Sequence, residues 1–170
     1  KCPIDIISGF GTFYPGSWYY FAPLSLGVGR LRYLTTGTAP NRKLVIQWEK
    51  FNLQKQGLAQ IFRVNFQMIL YETSNHVEFH YGDIHALYNN PDSLGIEIGM
   101  KGLEQKNGLL CSTNSSWDST VAIPSQYAKC ILSQSKLPAN GLICRFYPGP
   151  FCTGTPNAGK AVASLKYVCA

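Results

Sequence analysis

The stretch FRVNFQMILYETSNHVEFHYGDI, residues 62–84, constrains the fold more than any other part of the chain. Apolar and polar side chains alternate through 62–72, TSN breaks the run, and HVEFHY resumes it. A period of two sends successive side chains to opposite faces of a strand. The pattern therefore predicts a long antiparallel hairpin with Val77, Phe79 and Tyr81 inward and His76, Glu78 and His80 outward.

Other runs repeat the pattern. RLRYL (30–34) reads as a half-buried strand, with Leu31 and Tyr33 on one face and Arg30 and Arg32 on the other. KLVIQWEKF (43–51) sets Leu44, Ile46 and Trp48 against Val45, Gln47 and Glu49. LGIEIGM (94–100) alternates through Leu94, Ile96 and Ile98, and GLICRFYP (141–148) reads as a closing strand. Residues before 30 mix aromatics with Gly, Pro and Ser and read as loops and short strands. Residues 101–140 read as a long polar connection holding two cysteines, which needs a covalent tie to stay compact. No helical stripe and no solenoid repeat is present. The expectation is an all-β fold: an antiparallel two-layer β-sandwich of jelly-roll or lectin-like type over residues 1–150, with a disulfide-stapled C-terminal third.

The connection GTAPNR (37–42) raises the choice between a catalytic loop and a turn that aims a strand. Gly37 permits an unusual backbone angle, Pro40 fixes φ, and Asn41 can hydrogen-bond its own turn. Arg42 then has a fork suited to loop carbonyls or to Glu49. On this reading Gly37, Pro40, Asn41 and Arg42 form a hairpin turn that sets register.

The net charge of +6 is spread along the chain, with its densest grouping at Arg30, Arg32, Arg42 and Lys43. Nucleic acid is not the expected partner, because phosphate binding depends on many clustered cations with interleaved aromatics. A mild basic surface suits anionic glycans or lipid headgroups equally well. No run approaches the roughly 20 apolar residues of a membrane helix, so membrane insertion is not expected. KCPIDIISGF lacks a charged n-region and a long apolar core and is not expected to be a secretion signal; any such signal has been removed or lies outside the sequence. Cys2, Cys111, Cys130, Cys144, Cys152 and Cys169 show no zinc-type spacing and read as disulfide formers, which places the chain outside the cytosol. Cys111–Cys130 is the first pairing expected, because it would close a loop of about 20 residues and contribute roughly 3 kcal/mol.

Catalytic constellations are sparse. The three histidines, His76, His80 and His85, lie in or just after one hairpin, and no Gly-x-Ser-x-Gly elbow accompanies them. Glu49, Glu72, Glu78, Asp83 and Glu97 lie on or beside strands; all but Asp83 face the solvent side, as ordinary solvated residues do. His76, Glu78 and His80 share one face at strand spacing and are the candidate metal ligands, although alternating polar residues are also what any half-exposed sheet shows. Calcium at YNNPDS or YGDI lacks the EF-hand spacing. No cofactor is expected. The aromatics of TFYPGSWYYF (12–21) suit either a core or stacking on sugar rings. Asn114 opens an Asn-Ser-Ser glycosylation sequon. After Pro148, Gly149 and Pro150, residues 151–170 begin a new alternating run through Ala161, Ala163, Leu165 and Tyr167. That run is expected to start a second domain or to be a strand donated to a neighbouring subunit.

TTGTAPNRKLVIQWEKF, NFQMILYETSNHVEFHYGDI, SLGIEIG and LPANGLICRFYPGP resemble, in this order, a β-sandwich module of large secreted surface proteins of Bacteroidota, many of which use the type IX secretion route. The likeness spans residues 20–150. A weaker one, through the FQ…L…YG hairpin, is to the sandwich domain of nidogen-type matrix proteins. CTGTPNAGKAVASLKYVCA resembles the first strand of the immunoglobulin-like repeats that follow such modules. Ser93 and Ser119 sit in Asp-Ser-x triplets similar to the O-glycosylation signal of Bacteroidota surface proteins. The resemblance implies an extracellular, non-catalytic binding or structural part of an adhesin or filament, whose partners are other domains or subunits of a surface assembly and extracellular glycans. The alternative, by fold analogy, is a carbohydrate-binding or glycan-active domain.

Overall fold

The computed structural model describes residues 4–11, 19–23, 29–55, 60–87, 93–102, 109–112, 117, 120–124 and 129–147. Their strands, in chain order, are β1 (Ile4–Gly11), β2 (Tyr19–Pro23), β3 (Arg30–Thr36), β4 (Lys43–Lys55), β5 (Gln60–Tyr71) and β6 (Val77–Tyr81). They continue as β7 (His85–Ala86), β8 (Leu94–Gly102), β9 (Leu109–Ser112), β10 (Val121–Pro124), β11 (Cys130–Leu132) and β12 (Ile143–Phe146). One sheet runs β1-β8-β9-β10, with β11 also beside β8; the other runs β12-β6-β5-β4-β2, with β3 also on β4 and β7 also on β5. The described pairings are antiparallel. The all-β sandwich is the fold this chain adopts.

The alternation of 62–81 does what its period requires. Phe66 pairs with Tyr81, Met68 with Phe79 and Leu70 with Val77, so six apolar side chains share one face. β4 carries that face outward, through Trp48 opposite Phe66, Ile46 opposite Met68 and Leu44 opposite Leu70. β12 carries it the other way, through Cys144 opposite Phe79 and Phe146 opposite Val77. Leu94, Ile96 and Ile98 of β8, Cys130 and Leu132 of β11, and Trp117 close over this face to complete the core. Aromatic contacts thread it. Trp48 stacks on Phe66 at 4.5 Å between ring centroids, and Tyr81 meets Trp117 edge to face at 5.6 Å. The buried Trp117 indole still satisfies its N–H, which donates to the Ile131 carbonyl at 3.0 Å.

A bulge preserves the facing of β4. The register shifts between Trp48 and Phe51, and Lys50 takes φ of 56° there. Without the extra residue Phe51 and Leu53 would turn away from the core; with it they face Val64 and Phe62. Asn65 secures the bulge by accepting the Lys50 backbone N–H at 2.8 Å and donating to the Asp83 carbonyl at 2.7 Å.

Three expectations need correction. β3 is exposed along its whole length instead of half-buried. Residues 101–140 are not one long connection: β9, β10 and β11 lie within them, short strands of three or four residues that are too brief to show a period. Cys130 is a fully buried thiol, which departs from the expected Cys111–Cys130 staple. Cys144 is disulfide-bonded. The side chains of Cys2, Cys111, Cys152 and Cys169 lie outside the described residues, as do 151–170, Asn114, Ser119 and the aromatics 12–18.

Candidate functional site

On the outer face of the larger sheet, opposite the core, polar residues converge on Glu78. The register explains the assembly: Glu78 stands between Ile69 of β5 and Arg145 of β12. The Tyr71 hydroxyl donates to Glu78 Oε2 at 2.8 Å, and His80 Nε2 donates to the same oxygen at 2.7 Å. Arg145 Nε donates to Glu78 Oε1, and His76 Nε2 lies 3.6 Å from that oxygen. The TSN turn brings His76 back over Tyr71, where the two rings stack at 3.7 Å; the Tyr147 ring lies tilted to His76 at 5.4 Å between centroids. Ser74 Oγ lies 2.6 Å from His76 Nδ1 and helps fix that ring.

Glu78 therefore faces away from the core, as the alternation requires, yet only 3% of it is exposed. A lone buried carboxylate would be driven toward its neutral form. Burial does push Glu78 up, but hydrogen bonds from His80, Arg145 and Tyr71 outweigh it and hold the carboxyl at about 2. Burial, followed by the bond to Glu78, pushes the Tyr71 hydroxyl up to about 12. Burial also lowers His76 below the ordinary imidazole value, against the opposing pull of Glu78. At neutral pH the cluster is thus an ionised carboxylate, a guanidinium, a neutral His76 and a neutral phenol.

The structure brings the candidate metal trio together, but around each other. Both imidazoles direct Nε2 at Glu78, and Arg145 supplies the cation that the carboxylate faces. Among the described residues no group of three His, Cys, Asp or Glu side chains has the arrangement to hold a metal ion. Arg145, Tyr71 and Tyr147 are the members sequence reasoning missed. The strand register, which sets Arg145 opposite Glu78, is what reveals Arg145.

The other carboxylates pair separately. Arg42 does not bond Glu49; it grips Glu72 on the next hairpin, with Nε donating to Oε2 at 2.9 Å, Nη2 donating to Oε1, and its backbone N–H donating to Oε2 at 3.0 Å. Glu72 N–H answers to the Arg42 carbonyl at 3.0 Å, and the Thr73 hydroxyl donates to the Pro40 carbonyl. GTAPNR and YETSN are thus two halves of one docked pair of turns. The side-chain and backbone bonds from Arg42 hold the Glu72 carboxyl at about 2. Glu49 lies 3.3 Å from Arg32 Nη2, and Asp83 lies 2.6 Å from His85 Nε2. Glu97, expected on a solvated face, is buried. Ser93 is exposed, in keeping with a loop position.

The protein-family model described as NIDO related matches residues 13–148. No curated protein and no solved structure gives a significant match to this chain. Domains of the matched kind are in general extracellular, non-catalytic structural or binding modules, and no described helix is long and apolar enough to cross a membrane.

Proposed function

We propose, from the premise that this chain belongs to the NIDO-related family, that it is a binding and structural module of a multidomain adhesin or filament protein, of the kind Bacteroidota export to the cell surface. Residues 151–170 lead from it into an immunoglobulin-like domain or act as a donated strand. Its partners are neighbouring domains or subunits and, at its polar outer face, extracellular glycans.

One observation carries the non-catalytic part of this reading: Glu72, bonded by Arg42, and Glu78, bonded by His80, Arg145 and Tyr71, are both held at about 2. Glycoside hydrolysis needs one carboxyl raised in pKa, so that it is still protonated near neutral pH, facing a second across the scissile bond. Glu49 and Asp83 also stand against cationic or imidazole side chains.

Incubation of the chain with a panel of soluble and insoluble glycans tests the reading, with retention and reducing-end release measured on the same samples. Retention on some glycans, or none, without release is expected; sustained release abolished in Glu78→Gln would overturn it. Antibody labelling of intact producing cells tests surface location, and signal only after lysis would contradict it.

A further inference from the structure

Among the described residues β3 has one strand neighbour, β4, and so forms an edge of the larger sheet. Edge strands are normally guarded by proline, by a bulge or by inward-pointing charge, because their open backbone recruits other strands. β3 has no proline, and its pairing with β4 runs unbroken from Arg30 opposite Glu49 to Thr36 opposite Lys43. Its apolar side chains are offered to solvent on both faces: Leu31 is 59% exposed, Tyr33 80% and Leu34 62%. Leu31 and Tyr33 stand opposite Trp48 and Ile46, on the face those residues turn to the core, yet stay largely exposed.

The charge pattern of RLRYLTT selects a partner. Both cations, Arg30 and Arg32, sit in the first half, and the second half carries none. A parallel copy would set each arginine against its like. An antiparallel copy centred on Tyr33 sets Arg30 against Thr36, Leu31 against Thr35, Arg32 against Leu34 and Tyr33 against itself, so that no arginine opposes another. Arg32 keeps Glu49 beside it on its own chain, and its apolar stem can cover Leu34 of the other copy.

We propose that β3 is a self-association edge: two copies of this chain pair β3 to β3, antiparallel about Tyr33, and join their larger sheets into one continuous sheet across a twofold axis. This holds whether or not the module also binds glycans. The apolar row Tyr33, Ile46 and Met68 of each copy then runs on into the same row of the other.

Cysteine placement in the full chain reads the register directly. Directly opposed residues of antiparallel strands lie about 5 Å apart between Cα atoms, within disulfide range. Under mild oxidation Tyr33→Cys should give a covalent dimer, beyond any seen for the parent chain. Thr35→Cys alone should not, because its copies are roughly 14 Å apart along the strands. Leu31→Cys mixed with Thr35→Cys should cross-link. In sedimentation velocity the parent chain should dimerise with concentration, and Tyr33→Lys, with its far-UV circular dichroism unchanged, should weaken the dimer at least about tenfold. A parent chain that stays monomeric at every accessible concentration would overturn the proposal, including the case in which it pairs only with an acidic extended peptide. So would a dimer that survives Tyr33→Lys or cross-links through Thr35→Cys alone.

Discussion

Glu78 shows how much a single register position can decide. Replacing it with Gln keeps the shape but removes the charge that faces Arg145 and turns one of the two oxygens that accept from Tyr71, His80 and Arg145 into an amide N–H2 donor. Breaking a buried, hydrogen-bonded charge cluster is expensive, and with Arg145 partly exposed the loss should be about 2–4 kcal/mol, read by chemical denaturation. The pH dependence has a definite sign. Glu78 is held at about 2 in the folded chain and titrates near 4.5 when unfolded, so its contribution is present above 4.5 and lost as pH falls toward 2. His76 is also lowered, from 6.5, so the folded state resists its protonation and stability begins to fall once pH drops below that value. Tyr71 acts at the other end: raised to about 12 from 10, it makes stability decline as pH rises between those values. A plot of melting temperature against pH should therefore sag below 6.5, steepen below 4.5 and sag again above 10. In Glu78→Gln the limb below 4.5 should flatten. The same residue marks a limit of sequence reading. Alternation placed it on the outer face correctly, but it could not reveal that Tyr71, His76, His80 and Arg145 bury it, because Arg145 lies 67 positions away.

At the scale of elements, the docked turns deserve their own tests. Gly37 holds φ of +84°, and a Cβ there would lie 2.8 Å from the Asn41 carbonyl oxygen. Gly37→Ala should therefore cost about 1–2 kcal/mol despite the exposed position, measured by chemical denaturation. Arg42→Ala should leave the fold intact while amide exchange quickens in both turns, 37–42 and 71–76, since the two are clamped together. Quickening confined to 37–42 would show that the clamp does not couple them. The turn between β3 and β4 was legible in the sequence, because Gly, Pro and Asn act locally. It did not give Glu72 as the partner, since a contact across 30 positions follows only from the β4–β5 register. The strands of 4–11 and 109–132 were obscured for another reason. β1 is irregular, with register shifts against β8, and β9 to β11 are shorter than the span over which alternation becomes legible.

Across the whole molecule, the two sheets close over one aromatic-rich core, and the larger sheet extends past it at β3. The polar outer face carries an ion network in which each member stabilises another. Among its described members, Glu72 is bonded by Arg42 and Glu78 by Arg145, in a chain that belongs to the NIDO-related family. The most direct measurement is a carbon-detected NMR titration of the Glu78 side-chain carboxyl in the intact chain. A midpoint at about 2 is predicted. A midpoint at or above the ordinary glutamate value of 4.5 would contradict the account, because the carboxyl would then be free of its partners and available as a proton donor.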